Sequence, residues 1–148
     1  MKLSNKFSVA DVTKSDTAKR RGFDEQFMPE LRIIDNAKEV CINILDNIPH
    51  AFFITSFYRC KRLNRAIGGS ATSDHMDGCA VDIDSQNDLN NKLIFDWIKD
   101  NCTFDQLIWE FGDNEHPDWV HVSYRKTGNR NQVLKAIKQN GNTKYIRF

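Results

Sequence analysis

No stretch of this chain approaches the ~18 consecutive apolar residues that would suggest a membrane-spanning helix, and none carries the apolar core of a secretory signal. The opening MKLSNKFSVADVTKSD has one early lysine and no such core, so the protein is expected to be synthesised in the cytoplasm as a soluble chain without a membrane partner. Neither sign of charge dominates. The 21 Lys and Arg against 20 Asp and Glu leave a formal net charge of +1, which argues against nucleic-acid binding despite the basic stretches RCKRLNR and NTKYIRF. Closely spaced cysteines are missing as well: Cys41, Cys60, Cys79 and Cys102 stand far apart. That pattern opposes a cysteine-built metal site and favours small buried thiols without disulfides. With no internal repeat, low-complexity tract or linker, residues 1–148 read as one domain. A chain of this length can bury roughly 68–70% of the surface its unfolded form exposes, and 40% apolar and 28% charged residues suit a globular fold.

What is present is a mixture of periodicities. Ser8 to Asp11 offers a capped helix start. Between Pro29 and Asn47, Ile33, Ile34, Ala37, Val40, Cys41, Ile44 and Leu45 recur at three- and four-residue steps, the pattern of an amphipathic helix with Pro49 beyond its end. AFFITSF (51–57) predicts a buried strand, and KRLNRAIGG a short helix closed by Gly68 or Gly69 in a left-handed turn. In AVDID, Val81 and Ile83 alternate with Asp82 and Asp84. DLNNKLIFDWIKDN predicts a helix through Leu89, Leu93, Trp97 and Ile98. FDQLIWEF and WVHVSY predict two more strands, and NQVLKAIKQ a last helix before Gly141. Without regular strand–helix alternation the fold class is α+β, a small antiparallel sheet flanked by helices.

Two segments carry chemistry. In SATSDHMDGCAVDID (70–84), His75 and Asp82 surround a glycine turn that runs into a strand. In PDWVHVSY (117–124), Trp119, His121 and Ser123 share one face of an extended chain while Val120 and Val122 take the other. The valines can anchor that strand in a core and leave His121 facing a cleft, as Val81 and Ile83 can for Asp82. His75, Asp82 and His121 then supply two imidazoles and one carboxylate. Catalytic zinc takes three protein ligands of these types and keeps a fourth position open for water. Spacing alone makes this a weak signal, since a chain with four histidines always offers some triple. His50 and His116 are read as exposed or capping residues.

SFYRCKRLNRAIGGSATSDHMDGCAVDID resembles the zinc D-alanyl-D-alanine carboxypeptidases and L-alanyl-D-glutamate endopeptidases of bacteria and phages. Their shared pattern is Tyr-Arg after a strand, then Ser-x-His-x-x-Gly-x-Ala-x-Asp, then a Trp-x-His strand preceded by an acid. Here it falls on Tyr58-Arg59, on Ser73 through Asp82, and on Asp118-Trp119-Val120-His121. FSVADVTKSDTAKRRGFD is also similar to the opening of the phage-type branch, and the likeness covers most of residues 7 to 124.

The resemblance implies a hedgehog-like peptidase fold, Zn2+ held by His75, Asp82 and His121, and hydrolysis of amide bonds in peptidoglycan stem peptides. It implies action on the bacterial cell wall, of endolysin type if phage-encoded, and the chain is expected to be a monomer. Asp118, three places before the last histidine, matches the general base. Strict strand geometry puts it on the face opposite His121, so a bend at Pro117 would be needed, and Glu110 is the rival. Arg59 matches a substrate-orienting arginine whose rigid fork can bind a peptide carboxylate or polarise the scissile carbonyl. Ser73 either binds substrate or caps the turn. Gly78 and Ala80 serve the tight turn and close packing. Cys79 departs from the family's usual residue and, by strand parity, faces away from Asp82. The alternative function is a non-catalytic wall-binding or virion module, whose ion would be closed off by a fourth ligand, His116 being nearest.

Overall fold

The computed structural model describes residues 1–148 except Asn87, without the side chains of Asp88 and Leu89. Two short helices, α1 (Val9–Thr13) and α2 (Asp16–Arg21), lead through a 3-10 turn at Asp24–Phe27 to the long helix α3 (Leu31–Asn43). Strand β1 (Phe53–Ser56), helix α4 (Lys61–Ala66), a second 3-10 turn at Asp74–Asp77 and strand β2 (Ala80–Asp84) follow. Helix α5 (Asp88–Asn101) precedes strands β3 (Gln106–Glu110), β4 (Trp119–Ser123), β5 (Gln132–Gln139) and β6 (Asn142–Arg147). The six strands form one sheet in the order β1-β2-β4-β3-β5-β6. Every described pairing is antiparallel except β3 with β5. The α+β class holds, and the sheet is mixed rather than wholly antiparallel.

Alternation gives the sheet two unlike faces. Val81, Ile83, Leu107, Trp109, Val120 and Val122 are buried on the back, where α3 meets β2 and α5 meets β3 and β4. Helix α3 turns Ile33, Ala37, Val40 and Cys41 into this core. On α5 the buried stripe is Ile94, Phe95 and Ile98, one step round from that predicted: Leu93 is 48% exposed, and the side chain of Leu89 lies outside the described residues. The front face carries Asp82, His121, Ile108 and Glu110.

Two further expectations are corrected. AFFITSF forms an edge strand, not a buried one: Phe53 is 59% exposed, and the pairing with β2 shifts register between Ile54 and Ser56. Phe57, just past the strand, is the residue that sinks into the core. NQVLKAIKQ is strand β5, not a helix. Its apolar residues satisfy a three-to-four step and a two-step equally well. Asn140 (φ 52°) and Gly141 (φ 80°) decide the matter, because a two-residue turn with positive φ at both positions closes a hairpin.

The N-terminal segment is tied to the body by one buried side chain. Gln26 donates through Nε2 to the carbonyls of Thr13 at 2.9 Å and Tyr58 at 2.8 Å, and its Oε1 accepts from the Cys60 N–H at 2.8 Å. It is 0% exposed. Gln26→Leu keeps the approximate volume and strands three backbone groups, each costing about 1–3 kcal/mol when buried without a partner. The expected loss is about 3 kcal/mol or more, read as a melting temperature lowered by roughly 10 °C. A variant that melts with the wild type would show that water or a local shift replaces the amide.

Candidate metal centre

The turn that carries His75 is built from both ends. Ser73 Oγ accepts from the His75 N–H at 3.3 Å, and Gly78 closes the turn in the left-handed conformation with φ +72°. A Cβ at Gly78 would stand 2.7 Å from the carbonyl oxygen of Ile33 on α3, so no larger residue fits there without displacing backbone. Asp77 is held from α3 by Arg32 at 2.9 Å and by Asn36, which donates to its carbonyl. Arg125 donates to Asp74 at 2.6 Å and to Asp105 at 3.2 Å. Asp105 also takes Arg130 at 2.9 Å, and the two guanidinium groups hold its carboxyl down at about 2, Arg130 foremost and against the pull of burial. This clamp joins the His75 turn to the start of β3, and nothing in local periodicity announced it.

His75 is 2% exposed. Its Nδ1 lies 2.7 Å from the carbonyl oxygen of Phe57. A carbonyl only accepts, so Nδ1 carries the hydrogen and Nε2 presents its lone pair. That Nε2 faces Asp82 Oδ2 at 3.3 Å, and Asp82 Oδ1 lies 2.8 Å from His121 Nδ1. The imidazole centroids are 5.2 Å apart. One donor atom from each of His75, Asp82 and His121 lies within 4.8 Å of the others. The juxtaposition follows from register: Asp82 on β2 pairs directly with His121 on β4, and paired residues share a face.

Electrostatics suit a cation. Burial lowers the pKa of His75 and keeps its imidazole neutral, the form that ligates. Burial would raise Asp82, but the two histidines outweigh it and hold the carboxylate ionised. For His121 burial pulls the other way, and the hydrogen bond and charge of Asp82 leave its pKa raised. Two imidazoles and a carboxylate that converge, with one imidazole oriented by a backbone carbonyl, fit zinc in ligand type and number.

The three donors line a cleft of about 820 Å³ on the front of the sheet. Arg59 and Glu110 line it too. Arg59 is half-buried. Its backbone N–H donates to the His75 carbonyl at 3.1 Å, and Nη2 reaches Ser73 Oγ at 3.4 Å. Its Nε has no partner among the described residues, and burial lowers its pKa. Ser73 thus caps the turn and touches Arg59. Glu110 is 7% exposed, and burial pushes its carboxyl up to about 7, with Asp82 adding to the shift and His121 opposing it.

Asp118 does not join this group. It is exposed and outside the cleft lining, one residue before Trp119 and so on the other strand face from His121. Its N–H donates to the Glu110 carbonyl at 2.9 Å. Pro117 does not bend it inward, so of the two candidate carboxylates the structure places Glu110, and not Asp118, on the cleft. His116 and His50 also lie outside the donor cluster. Cys79 is buried with Sγ 3.8 Å from the Asp77 carbonyl, and burial pushes its thiol up to about 11, so it is packed away as an unreactive group. Gln132, Lys138, Tyr145 and Arg147 line the cleft and were missed, because a helix at 132–139 could not have formed the hairpin that carries them.

No curated protein matches the chain. A family model described as Peptidase M15 matches residues 5–123, a span that takes in the Gln26 tie, Arg59, the His75 turn, β2, β3 and β4. Covering well over half of the chain and every residue of the donor cluster, that match shows that the protein belongs to the peptidase M15 family and is a metallopeptidase.

Proposed function

We propose that this metallopeptidase is zinc-dependent and hydrolyses amide bonds in peptidoglycan stem peptides, as a D-Ala-D-Ala carboxypeptidase or an L-Ala-D-Glu endopeptidase, acting on the bacterial wall. The observation that carries the reading is the convergence of His75, Asp82 and His121 in a cleft that also presents Glu110 and Arg59. His75, Asp82 and His121 would hold the ion. Zinc in such a site supplies Lewis-acid polarisation and acidifies water at neutral pH.

The remaining chemistry belongs to the chain. Glu110 is a diagonal neighbour of His121, since Glu110 pairs with Trp119 and Ile108 pairs with His121, which sets the two about 7–8 Å apart along the backbone. Its carboxylate takes a proton from the attacking water and returns it to the departing amine, so the proton count closes within one residue. Arg59, with an unmet N–H, donates to the carbonyl oxygen or to a neighbouring peptide carboxylate and orients the bond. Ser73 keeps that guanidinium in place.

Purified protein reconstituted with zinc is expected to hold about one ion per chain and to release peptides from isolated sacculi. Mass spectrometry of the products separates loss of a terminal D-Ala from cleavage after L-Ala. Bound zinc with intact sacculi and intact soluble muropeptides would overturn the hydrolase reading and leave a wall-binding module.

A further inference from the structure

The C-terminal hairpin lies beyond the family match, which stops at residue 123, yet it forms one wall of the cleft. Register places it. Asp82 pairs with His121, His121 with Ile108, Ile108 with Leu134, and Leu134 with Arg147. Arg147 therefore stands in the same cross-sheet row as two of the three donors, three strands from His121. At ~4.8 Å per strand that is about 14 Å, the length of about four residues of extended peptide.

Between the two ends the row is apolar. Ile108 and Leu134 belong to a small buried cluster with Ala136, packed by Phe111. Tyr145 flanks it from the next row, opposite Ala136. Arg147 is exposed on the cleft and forms no ion pair with any described residue. Two contacts hold the end of the hairpin: Phe148 stands with its ring 5.5 Å from those of Phe95 and Trp109, and its N–H donates to the Val133 carbonyl at 3.2 Å.

The geometry points to Arg147 as a specificity-determining residue that captures a carboxylate of an extended acidic peptide, about four residues from the bond that is cut. An unpaired guanidinium at the end of an apolar floor offers a planar fork that matches a carboxylate with two parallel hydrogen bonds. Beside this apolar floor polar side chains of the cleft are engaged with each other: Gln106 donates to Gln132 at 2.8 Å and Lys138 to Thr143 at 3.2 Å. This inference rests on the peptidase reading and adds the chemistry of the substrate's far end.

The test uses two probes, a synthetic stem pentapeptide with free carboxylates and the same peptide with every carboxylate amidated. Their affinity for metal-free wild-type and Arg147→Gln protein is read by tryptophan fluorescence, with a thermal melt of each protein as a check on folding. Amidation is expected to weaken wild-type binding about tenfold or more, the scale of a lost charge-assisted contact. Arg147→Gln should lose a similar factor for the free-carboxylate peptide and bind the amide as the wild type does. With zinc restored, the loss should appear in KM rather than kcat. Equal binding of both peptides by the wild type, or by wild type and a folded Arg147→Gln alike, overturns the inference. Carboxylate-selective binding without cleavage by the zinc-loaded wild type overturns the peptidase reading alone.

Discussion

Glu110→Gln is expected to keep its metal and lose turnover by about 10²–10⁴-fold, the usual contribution of a positioned general base, while Asp118→Asn stays within about twofold of the wild type. The amide keeps the size of the Glu110 side chain and removes its capacity to take a proton. Glu110 is buried on the cleft wall with its carboxyl raised by burial to about 7, so it can both accept and give up a proton near neutrality. A cation in the neighbouring triad would draw that value down again, since a nearby positive charge favours the ionised form. Asp118 meets water on the other side of the strand and touches Glu110 only through its backbone. Steady-state kinetics on soluble muropeptides, with zinc content measured on the same samples, separates the two carboxylates. A fully active Glu110→Gln enzyme would return the role of base to Asp118.

Asp82→Ala should abolish both metal retention and activity, whereas Cys79→Ala, three residues earlier, should keep both. Asp82 is the only acid in the donor cluster, and it bridges the two imidazoles at 3.3 and 2.8 Å. Its removal leaves two neutral ligands and no charge to offset a divalent ion. The Cys79 thiol is turned toward the Asp77 carbonyl and contributes nothing to the cluster. Binding linkage gives a second readout: an ion present at a thousandfold its dissociation constant stabilises the fold by about 4 kcal/mol, so zinc should raise the wild-type melting temperature on the order of 10 °C. The Asp82→Ala protein should not respond. A folded Asp82→Ala variant that retains one zinc through dialysis would place the ion elsewhere.

Asp82 and His121 were legible in the sequence because strand alternation is a strict code, whereas His75 sits on a turn and was given its weight by the family resemblance. Val81 and Ile83 fix where Asp82 points, and Val120 and Val122 do the same for His121. The same code put Asp118 on the opposite face, and the match of its spacing to the family pattern was weighed above that argument. The C-terminal hairpin was misread for another reason: Val133, Leu134, Ala136 and Ile137 fit either period, and the Asn140–Gly141 turn carried the deciding signal. The exposure of β1 was not legible at all, because sheet order is fixed by partners far along the chain. Nor was the Gln26 tie, whose partners are backbone groups 13 to 34 positions away.

Among the described residues the hairpin pairs with the rest of the sheet only through β5 and β3, on the side away from β2 and β4. Transplanting residues 132–148 between relatives would thus be close to a one-seam graft, whose join is one strand edge, the ring of Phe148, and the reach of Lys135 and Lys138 to Asn114 and Phe111. Recombination at that seam offers a route to new peptide preferences with the ion-holding half carried over intact.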